Sequence, residues 1–143
     1  MTKQSWINEI KFDANGLVPA IIEDAKTHEA LMMAWMNREA VEKTLKTKKA
    51  HFYSRSRKKL WLKGESSGHI QRVKRIALDC DGDTLLVSVH QTGGACHTGY
   101  RSCFYRKLSP RKEWKAVGRK LFDPDKVYRG LTPRGQTPSG SGK

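Results

Sequence analysis

Metal-binding side chains are concentrated in one stretch of the sequence, residues 79–106, which reads DCDGDTLLVSVHQTGGACHTGYRSCFYR. The stretch contains all three cysteines of the chain, three aspartates at alternate positions and a histidine beside one thiol: Cys80, Cys96, Cys103, Asp79, Asp81, Asp83 and His97. Thiolates are soft ligands that suit zinc, whereas carboxylates are hard ligands that suit Mg²⁺ or Ca²⁺. The stretch therefore predicts two metal sites of different hardness.

Three thiolates match the ligand count of a catalytic zinc site with one open position, since structural zinc sites usually close with a fourth ligand. The spacing is C-x15-C-x6-C, without the C-x2-C pair of zinc ribbons. A strand and a glycine pair separate Cys80 from Cys96, so a site within one subunit and a site completed across a dimer are equally compatible with the spacing. The alternative is three small buried hydrophobic side chains, which their concentration in 24 residues disfavours.

The three aspartates indicate a hard-cation site. In an extended segment alternate residues face one side, so the carboxylates would lie together and Cys80 would point the other way. Three such carboxylates repel one another unless a cation lies between them. The sequence does not fit an EF-hand, because Gly82 falls at loop position 4 rather than 6 and His90 replaces the bidentate glutamate. A solvated acidic turn remains the alternative.

Two histidines are candidates for proton transfer. Zinc lowers the pKa of a bound water to near neutrality, which together with a proton-transfer group predicts a hydrolase. His97 is the first choice because it adjoins Cys96, and His69 is the second. His97 could instead be a fourth zinc ligand, although its adjacency to Cys96 makes simultaneous binding awkward.

The charge of the chain is strongly positive. It has 28 Lys+Arg against 14 Asp+Glu, a formal net charge of +14. This balance indicates a polyanionic partner, either nucleic acid or a small phosphorylated substrate, or else a surface tuned for solubility. The cations that flank the middle strands would suit phosphate groups as a set. They are Arg55, Arg57, Lys63, Arg72, Lys74 and Arg75.

Length and composition predict one domain, residues 1–128, followed by a disordered basic tail, residues 129–143, rich in Gly, Pro, Ser and Thr. The chain has no long apolar run, and its polar start does not resemble a signal peptide. An odd number of cysteines disfavours a disulfide framework. We therefore expect a cytoplasmic protein without a membrane partner.

The hydrophobic pattern predicts a β-rich α+β fold in which antiparallel strands form a small barrel-like sheet with one or two helices. A helix from Arg38 to about Lys48 is predicted, with Asn37 as N-cap and Val41 and Leu45 buried. Trp114 and Phe122 are expected to pack onto the domain. The predicted strands are residues 17–23, paired with 30–36, and residues 51–55, 59–63, 71–78 and 84–90.

Several segments of the chain together carry a family resemblance. They are LMMAWMNREAVEKTL (31–45), FYSRSRKKLWLKGESSGH (52–69), DCDGD (79–83), ACHTG (95–99) and SCFYR (102–106). In combination they closely resemble the phosphoribosyl-AMP cyclohydrolases of histidine biosynthesis, over about residues 10–106. Any one segment alone would be weak evidence.

The resemblance implies hydrolytic opening of the adenine ring of 1-(5-phosphoribosyl)-AMP between N1 and C6. It implies an obligate homodimer in which Cys80 of one subunit and Cys96 and Cys103 of the other bind Zn²⁺. It further implies that the aspartates of DCDGD, Asp79, Asp81 and Asp83, bind Mg²⁺. By the same resemblance four residues are expected in the substrate pocket: Arg55, Lys63, Glu65 and Ser67.

A zinc-stabilised basic module that binds nucleic acid is the alternative function, supported by the net charge and the aromatic pair Phe52-Tyr53. This alternative lacks paired C-x2-C motifs and leaves the aspartates of DCDGD without a role. We therefore expect a small phosphorylated nucleotide as the partner rather than nucleic acid.

Overall fold

The structure, a computed structural model, describes residues 5–127. The predicted tail and both ends of the predicted domain 1–128 lie outside these residues. The elements are a 3-10 helix Ser5–Glu9, β1 Leu17–Asp24, β2 Ala30–Asn37, α1 Arg38–Thr47, β3 His51–Ser54, β4 Lys59–Leu62, β5 Gln71–Leu78, β6 Leu85–Gln91, β7 Arg106–Leu108, β8 Trp114–Ala116 and α2 Pro124–Val127. No helix in this range is long and apolar enough to span a membrane.

The main sheet has four strands in the order β2-β1-β6-β5. The predicted antiparallel pairing of the first two strands is confirmed, and β5 and β6 are also antiparallel. The central pair, β1 and β6, is parallel, with Ala20 opposite Leu85 and Asp24 opposite Val89. This pair is possible because a long connection separates the two strands in the chain.

Among the described residues the sheet is open, so the predicted barrel-like closure is wrong. The predicted antiparallel arrangement holds for every strand pair except β1 with β6, and the β-rich α+β class is confirmed. The first residues of β5 pair on their outer side with the segment that follows α1, and not with β2. The N–H of Ala50 donates to the Gln71 carbonyl at 3.0 Å, and the N–H of Val73 donates to the Lys48 carbonyl at 2.8 Å. Lys49 and Arg72 form an isolated antiparallel bridge between these two bonds.

Helix α1 follows β2 directly and begins where the sequence predicts. The side chain of Asn37 accepts a 2.8 Å hydrogen bond from the N–H of Ala40, which caps the first turn. The helix ends at Thr47, and the C-cap residue Lys48 has a left-handed φ of 63°. It buries Val41 as predicted, whereas Leu45 is only half-buried.

One face of the sheet, helix α1 and the β3–β4 hairpin share a single hydrophobic core. Phe52 and Trp61 pair across the hairpin, with ring centroids 5.1 Å apart. The inward side chains of the sheet, such as Ile22 and Val87, are fully buried in the same cluster. This core holds the sheet rigid, so the loops at its two ends have fixed relative positions.

The β7–β8 hairpin projects from the domain. Its cross-strand pair joins Leu108 to Trp114, and 65% of Trp114 is exposed. The predicted packing of Trp114 is therefore wrong, because both three-residue strands lie outside the core. Phe122, farther along the chain, is half-buried against His69, as its predicted packing requires.

Candidate active site

The three aspartates of the 79–83 segment form one cluster. Each of Asp79, Asp81 and Asp83 offers a carboxylate oxygen, and these oxygens lie within 4.8 Å of one another. A tight turn, rather than the expected extended segment, brings them together. The N–H of Gly82, whose φ is 77°, donates to the Asp79 carbonyl at 3.0 Å. Three exposed carboxylates in this arrangement fit the donor set of a hard cation such as Mg²⁺.

The turn also keeps Asp79 ionised. Desolvation raises the pKa of Asp79, but hydrogen bonds with the backbone and side chain of Asp83 and with the backbones of Thr84 and Gly82 lower it by more. The net effect is a pKa below the ordinary value of an aspartate. The carboxylate of Asp79 is therefore available to a cation at neutral pH.

Cys80 lies in the same turn and is exposed. The turn joins β5 to β6, so Cys80 lies at the end of the sheet where β6 begins. The Gly82 carbonyl accepts a 2.7 Å hydrogen bond from the N–H of Lys11, which precedes β1. This end of the sheet is therefore the end where β1 and β6 both start.

Cys96 and Cys103 lie beyond the opposite end of the sheet. Cys96 is buried in a loop after β6, with its Sγ 2.8 Å from the Thr98 hydroxyl and its N–H bonded to the Tyr100 carbonyl. Cys103 is half-buried, and its N–H donates to the Leu31 carbonyl at 2.7 Å. Leu31 lies at the start of β2, beside the end of β1. The seven residues of β6 span roughly 20 Å between the two ends.

The structure therefore does not bring the three predicted zinc ligands together within one chain. Among residues 5–127, the carboxylate cluster is the one group of three or more metal-ligating side chains whose ligand atoms lie within 4.8 Å of one another. Two thiols at one end of the sheet and a third at the other fit a three-thiolate zinc site only if a second chain supplies the missing ligand.

His69 packs against the segment that leads to Cys96. Its ring contacts Phe122 with centroids 4.6 Å apart, and its Nδ1 is buried without a hydrogen-bond partner. A Cβ on Gly93 would lie 2.7 Å from the Cδ2 of His69, so only glycine leaves room for the ring. Desolvation has the largest effect on His69 and lowers its pKa, and the positive charge of Lys63 lowers it further. A hydrogen bond with the Gly94 backbone raises the pKa by less, so the net shift is downward. His69 is therefore a neutral imidazole at neutral pH.

Lys63 directly follows β4, and its side chain reaches the segment that leads to Cys96. Its Nζ donates a 2.6 Å hydrogen bond to the carbonyl oxygen of Ala95, next to Cys96. The structure thus brings Lys63 and His69 together at the loop that carries Cys96 and His97, and His97 is half-buried there.

The other predicted pocket residues lie elsewhere or have local partners. The guanidinium of Arg55 lies 4.8 Å from the centroid of the Trp35 ring, towards the Cys80 end of the sheet. Ser67 accepts a 3.1 Å hydrogen bond from the N–H of His69, and Glu65 is exposed. Of the predicted pocket residues, Lys63 and Ser67 are therefore the two that contact the His69 region directly.

Sequence reasoning missed an ionic cluster that anchors the thiol-bearing loop. Arg101 donates to the carboxylates of Asp24 and Glu29, and the Ser102 hydroxyl donates to the Ala30 carbonyl at 2.7 Å. Asp24 accepts a hydrogen bond from the backbone N–H of Thr27, which is the largest effect on its pKa. Together with the other hydrogen bonds to this carboxylate it outweighs desolvation and lowers the pKa of Asp24 to about 2. The sequence does show that Arg101 lies between Cys96 and Cys103. It does not show the acidic partner, because Asp24 lies 77 residues away in the chain.

An open cavity of about 560 Å³ adjoins this cluster. It is lined by Asp24, Ala25, Lys26, Thr27, Lys74, Val89, His90, Gln91 and Arg101. The side-chain amide of Gln91 also donates to the His69 carbonyl at 3.2 Å, which links the cavity wall to the His69 segment. The cavity therefore lies at the same end of the sheet as Cys96 and Cys103.

Comparison with known proteins gives consistent matches. A family model described as phosphoribosyl-AMP cyclohydrolase matches residues 32–105. A protein of that name from Chlorobaculum tepidum is 56% identical over 127 residues, which cover 89% of this chain and 93% of that protein. One from Methanococcoides burtonii is 57% identical over 122 residues, which cover 85% of this chain and 98% of that protein. The matched range contains the carboxylate cluster and all three thiols.

Proposed function

The chain belongs to the phosphoribosyl-AMP cyclohydrolase family, and on this premise we propose that it opens the adenine ring of 1-(5-phosphoribosyl)-AMP by hydrolysis in histidine biosynthesis. Water adds across the bond between N1 and C6, so that C6 becomes a carboxamide carbonyl and N1 becomes the nitrogen of a formimino group. The reaction needs an activated water at C6 and a proton at N1.

The proposal includes a zinc site shared between two subunits of a homodimer. The observation that carries it is the placement of Cys80 at one end of the sheet and of Cys96 and Cys103 beyond the other. Zinc held by the thiols of two chains would supply a water molecule acidified to near-neutral pH. Each subunit would then contribute to two sites, and the monomer would have none.

The carboxylate cluster of Asp79, Asp81 and Asp83 would hold Mg²⁺, as its oxygen donor set favours. Because the cluster flanks Cys80, a shared zinc site would place Mg²⁺ beside the zinc. A divalent cation there would also offset the repulsion between carboxylates and attract a phosphate of the substrate.

Proton transfer would fall to His97, with His69 second. His97 adjoins Cys96, so it lies beside the proposed metal and could deliver a proton to N1. His69 is held neutral by burial, and Phe122 excludes water from one side of its ring. A neutral imidazole can accept a proton, which makes His69 suited to act as a base.

The substrate carries two phosphates, and this supports the binding roles proposed for Lys63 and Arg55. Glu65 and Ser67 lie in the loop between Lys63 and His69. The Ser67 hydroxyl accepts a hydrogen bond from the backbone N–H of His69. The thiol ligands require a reducing compartment, so we extend the proposal to a cytoplasmic enzyme.

The direct test combines the purified protein with Zn²⁺, Mg²⁺ and 1-(5-phosphoribosyl)-AMP and follows ring opening by ultraviolet absorbance. We expect turnover that is lost in His97→Ala and retained in His28→Ala, which changes an exposed histidine whose ring contacts the Glu23 carboxylate. Absence of turnover in the metallated wild-type dimer would contradict the proposed function.

A further inference from the structure

The open cavity of about 560 Å³ lies where two neighbouring parallel strands end. β1 ends at Asp24, which pairs with Val89 near the end of β6. From here the chain turns back from β1 to β2, whereas β6 continues into the thiol-bearing loop. In open sheets with parallel strands, the crevice beyond the carboxyl ends of diverging neighbours is where ligands bind. The cavity has this position, at the end of the sheet that carries Cys96 and Cys103.

Two ammonium groups line the cavity without an acidic partner among residues 5–127. Lys26 lies in the turn after β1, and Lys74 lies in β5. The register of β5 shifts between Val73 and Arg75, so Lys74 is the extra residue of a bulge. A bulge re-aims a side chain that regular alternation would direct elsewhere, and bulges are common beside active sites. The bulge therefore adds a second ammonium group to the cavity wall.

The charges of the other lining groups balance one another. Asp24 accepts 2.8 Å hydrogen bonds from the backbone N–H groups of Lys26 and Thr27. Its second carboxylate oxygen accepts a hydrogen bond from the guanidinium of Arg101. The cavity therefore keeps the positive charges of its two lysines, and the hydroxyl of Thr27 and the ring of His90 add further donors. A group with negative charge and several acceptor oxygens fits this lining.

We propose that the cavity binds the phosphate of the ribose attached to N1 of the substrate's adenine ring. The inference rests on the proposed function, because 1-(5-phosphoribosyl)-AMP carries one phosphorylated ribose on N1 and a second on N9. Lys26 and Lys74 donate charge-assisted hydrogen bonds to the phosphate oxygens. Binding a phosphate outside the reaction centre orients the reacting bond, so binding energy from this group serves the reaction.

The choice of the N1 ribose follows from the position of the cavity relative to the thiols. Arg101 lines the cavity and lies two residues before Cys103 in the chain. The bond that is broken joins N1 to C6, so the N1 ribose is attached to one of the reacting atoms. The N9 ribose lies on the opposite side of the ring system. With the reacting bond at a metal held by Cys96 and Cys103, the N1 ribose is the one that lies beside the cavity.

Steady-state kinetics of the full metallated chain test this assignment. Lys26→Ala/Lys74→Ala should raise KM at least about tenfold, because charge-assisted hydrogen bonds to the substrate are lost. The value of kcat should stay within about twofold of the wild type, since the phosphate is bound in both the ground state and the transition state. The matched control is Lys46→Ala/Lys115→Ala, which removes the same charge from exposed positions on α1 and β8 and should leave KM unchanged.

Inhibition by AMP distinguishes the two phosphates, because AMP carries only the phosphate of the N9 ribose. AMP should inhibit the wild type and Lys26→Ala/Lys74→Ala with the same constant. An inhibition constant that rises as much as KM would assign the cavity to the N9 phosphate and overturn the proposal. The proposal also fails if KM is unchanged in Lys26→Ala/Lys74→Ala, or if it rises equally in the control variant.

An NMR titration of the full chain tests the cavity without turnover. Ribose 5-phosphate should shift the backbone amide signals of Lys26, Thr27 and Lys74, whereas ribose without a phosphate should not. The shifts should disappear in Lys26→Ala/Lys74→Ala, and their absence from the wild type would refute the site. If ribose 5-phosphate binds here but the metallated chain does not open the substrate, the proposed function fails and the phosphate site stands. Turnover with a KM that does not depend on these lysines has the reverse meaning.

Discussion

The backbone N–H of Cys103 donates a 2.7 Å hydrogen bond to the carbonyl oxygen of Leu31. Leu31 lies at the start of β2, where Ala30 pairs with Glu23 near the end of β1. The bond therefore holds one thiol at the end of the sheet that is remote from Cys80. Because the core makes the sheet rigid, local loop motion would not bring these two thiols together.

The space around His69 depends on a glycine. Gly93→Ala places a Cβ 2.7 Å from the His69 ring at a φ of 65°. We expect a loss of about 1–2 kcal/mol from the left-handed backbone and of about 1–3 kcal/mol from overpacking. Urea unfolding measures the sum. Gly68→Ala is the control, since its φ is 80° but no atom lies within 4 Å, so it should lose only the backbone contribution. Equal losses in both variants would show that the His69 ring does not fill this space.

The ionisation of His69 depends on Phe122. Burial lowers the pKa of His69 below the ordinary value of 6.5, so the folded state favours the neutral ring. The free energy of unfolding therefore keeps its full contribution from His69 above pH 6.5. It decreases as the pH falls below 6.5, because the unfolded chain takes up a proton on His69 more readily than the folded chain. In Phe122→Ala the pKa of His69 should rise towards 6.5, which an NMR titration of the ring protons measures. Phe104→Ala, at a ring that is 52% exposed, should leave that pKa unchanged. An unchanged value in Phe122→Ala would contradict desolvation by this contact.

The ionic anchor of the thiol-bearing loop should make stability depend on acid. The folded-state pKa of Asp24 is about 2 against an ordinary value of 3.8. Its contribution is therefore complete above about pH 4 and is lost as the pH falls towards 2. Asp24→Asn should be less stable than the wild type at pH 7, with a difference that narrows at pH 2.5. Urea unfolding at both pH values checks this, with Glu113→Gln as an exposed control. A difference that does not change with pH would rule out ionisation as its source.

The carboxylate cluster should bind Mg²⁺ independently of zinc. Asp81→Asn removes a charged ligand, and we expect magnesium affinity to fall at least about tenfold, as measured by calorimetry. Zinc content measured by mass spectrometry should remain that of the wild type. Asp125→Asn, which changes an exposed carboxylate of α2, should alter neither metal. An unaltered magnesium affinity in Asp81→Asn would remove the second metal from the proposal.

Local signals in the sequence predicted much of the fold. The Asn37 cap and the antiparallel pairing of β1 with β2 both depend on residues close in the chain. The parallel pairing of β1 with β6 was not predictable in this way. It joins segments separated by more than 60 residues, and neither strand carries a pattern that specifies its partner.

In the candidate site, too, local sequence patterns predict some features and miss those that depend on residues distant in the chain. The residue types and spacing predicted thiol and carboxylate ligands, and the clustering of Asp79, Asp81 and Asp83 is confirmed. The ion pair between Arg101 and Asp24 depends on tertiary structure alone, because no local pattern relates the two residues. The orientation of Trp114 was wrong for a related reason: hydrophobicity predicts burial only where another element is present to cover the side chain.

Subunit complementation tests the shared zinc site most directly. Cys80→Ala and Cys103→Ala should each lose bound zinc and turnover as homodimers. Dissociation and reassociation of an equimolar mixture should form heterodimers for half of the population, each with one of two sites intact. Zinc binding and turnover should then return to about a quarter of the wild-type values. If the mixture stays as inactive and zinc-free as the separate variants while heterodimers form, the zinc site is not shared between subunits.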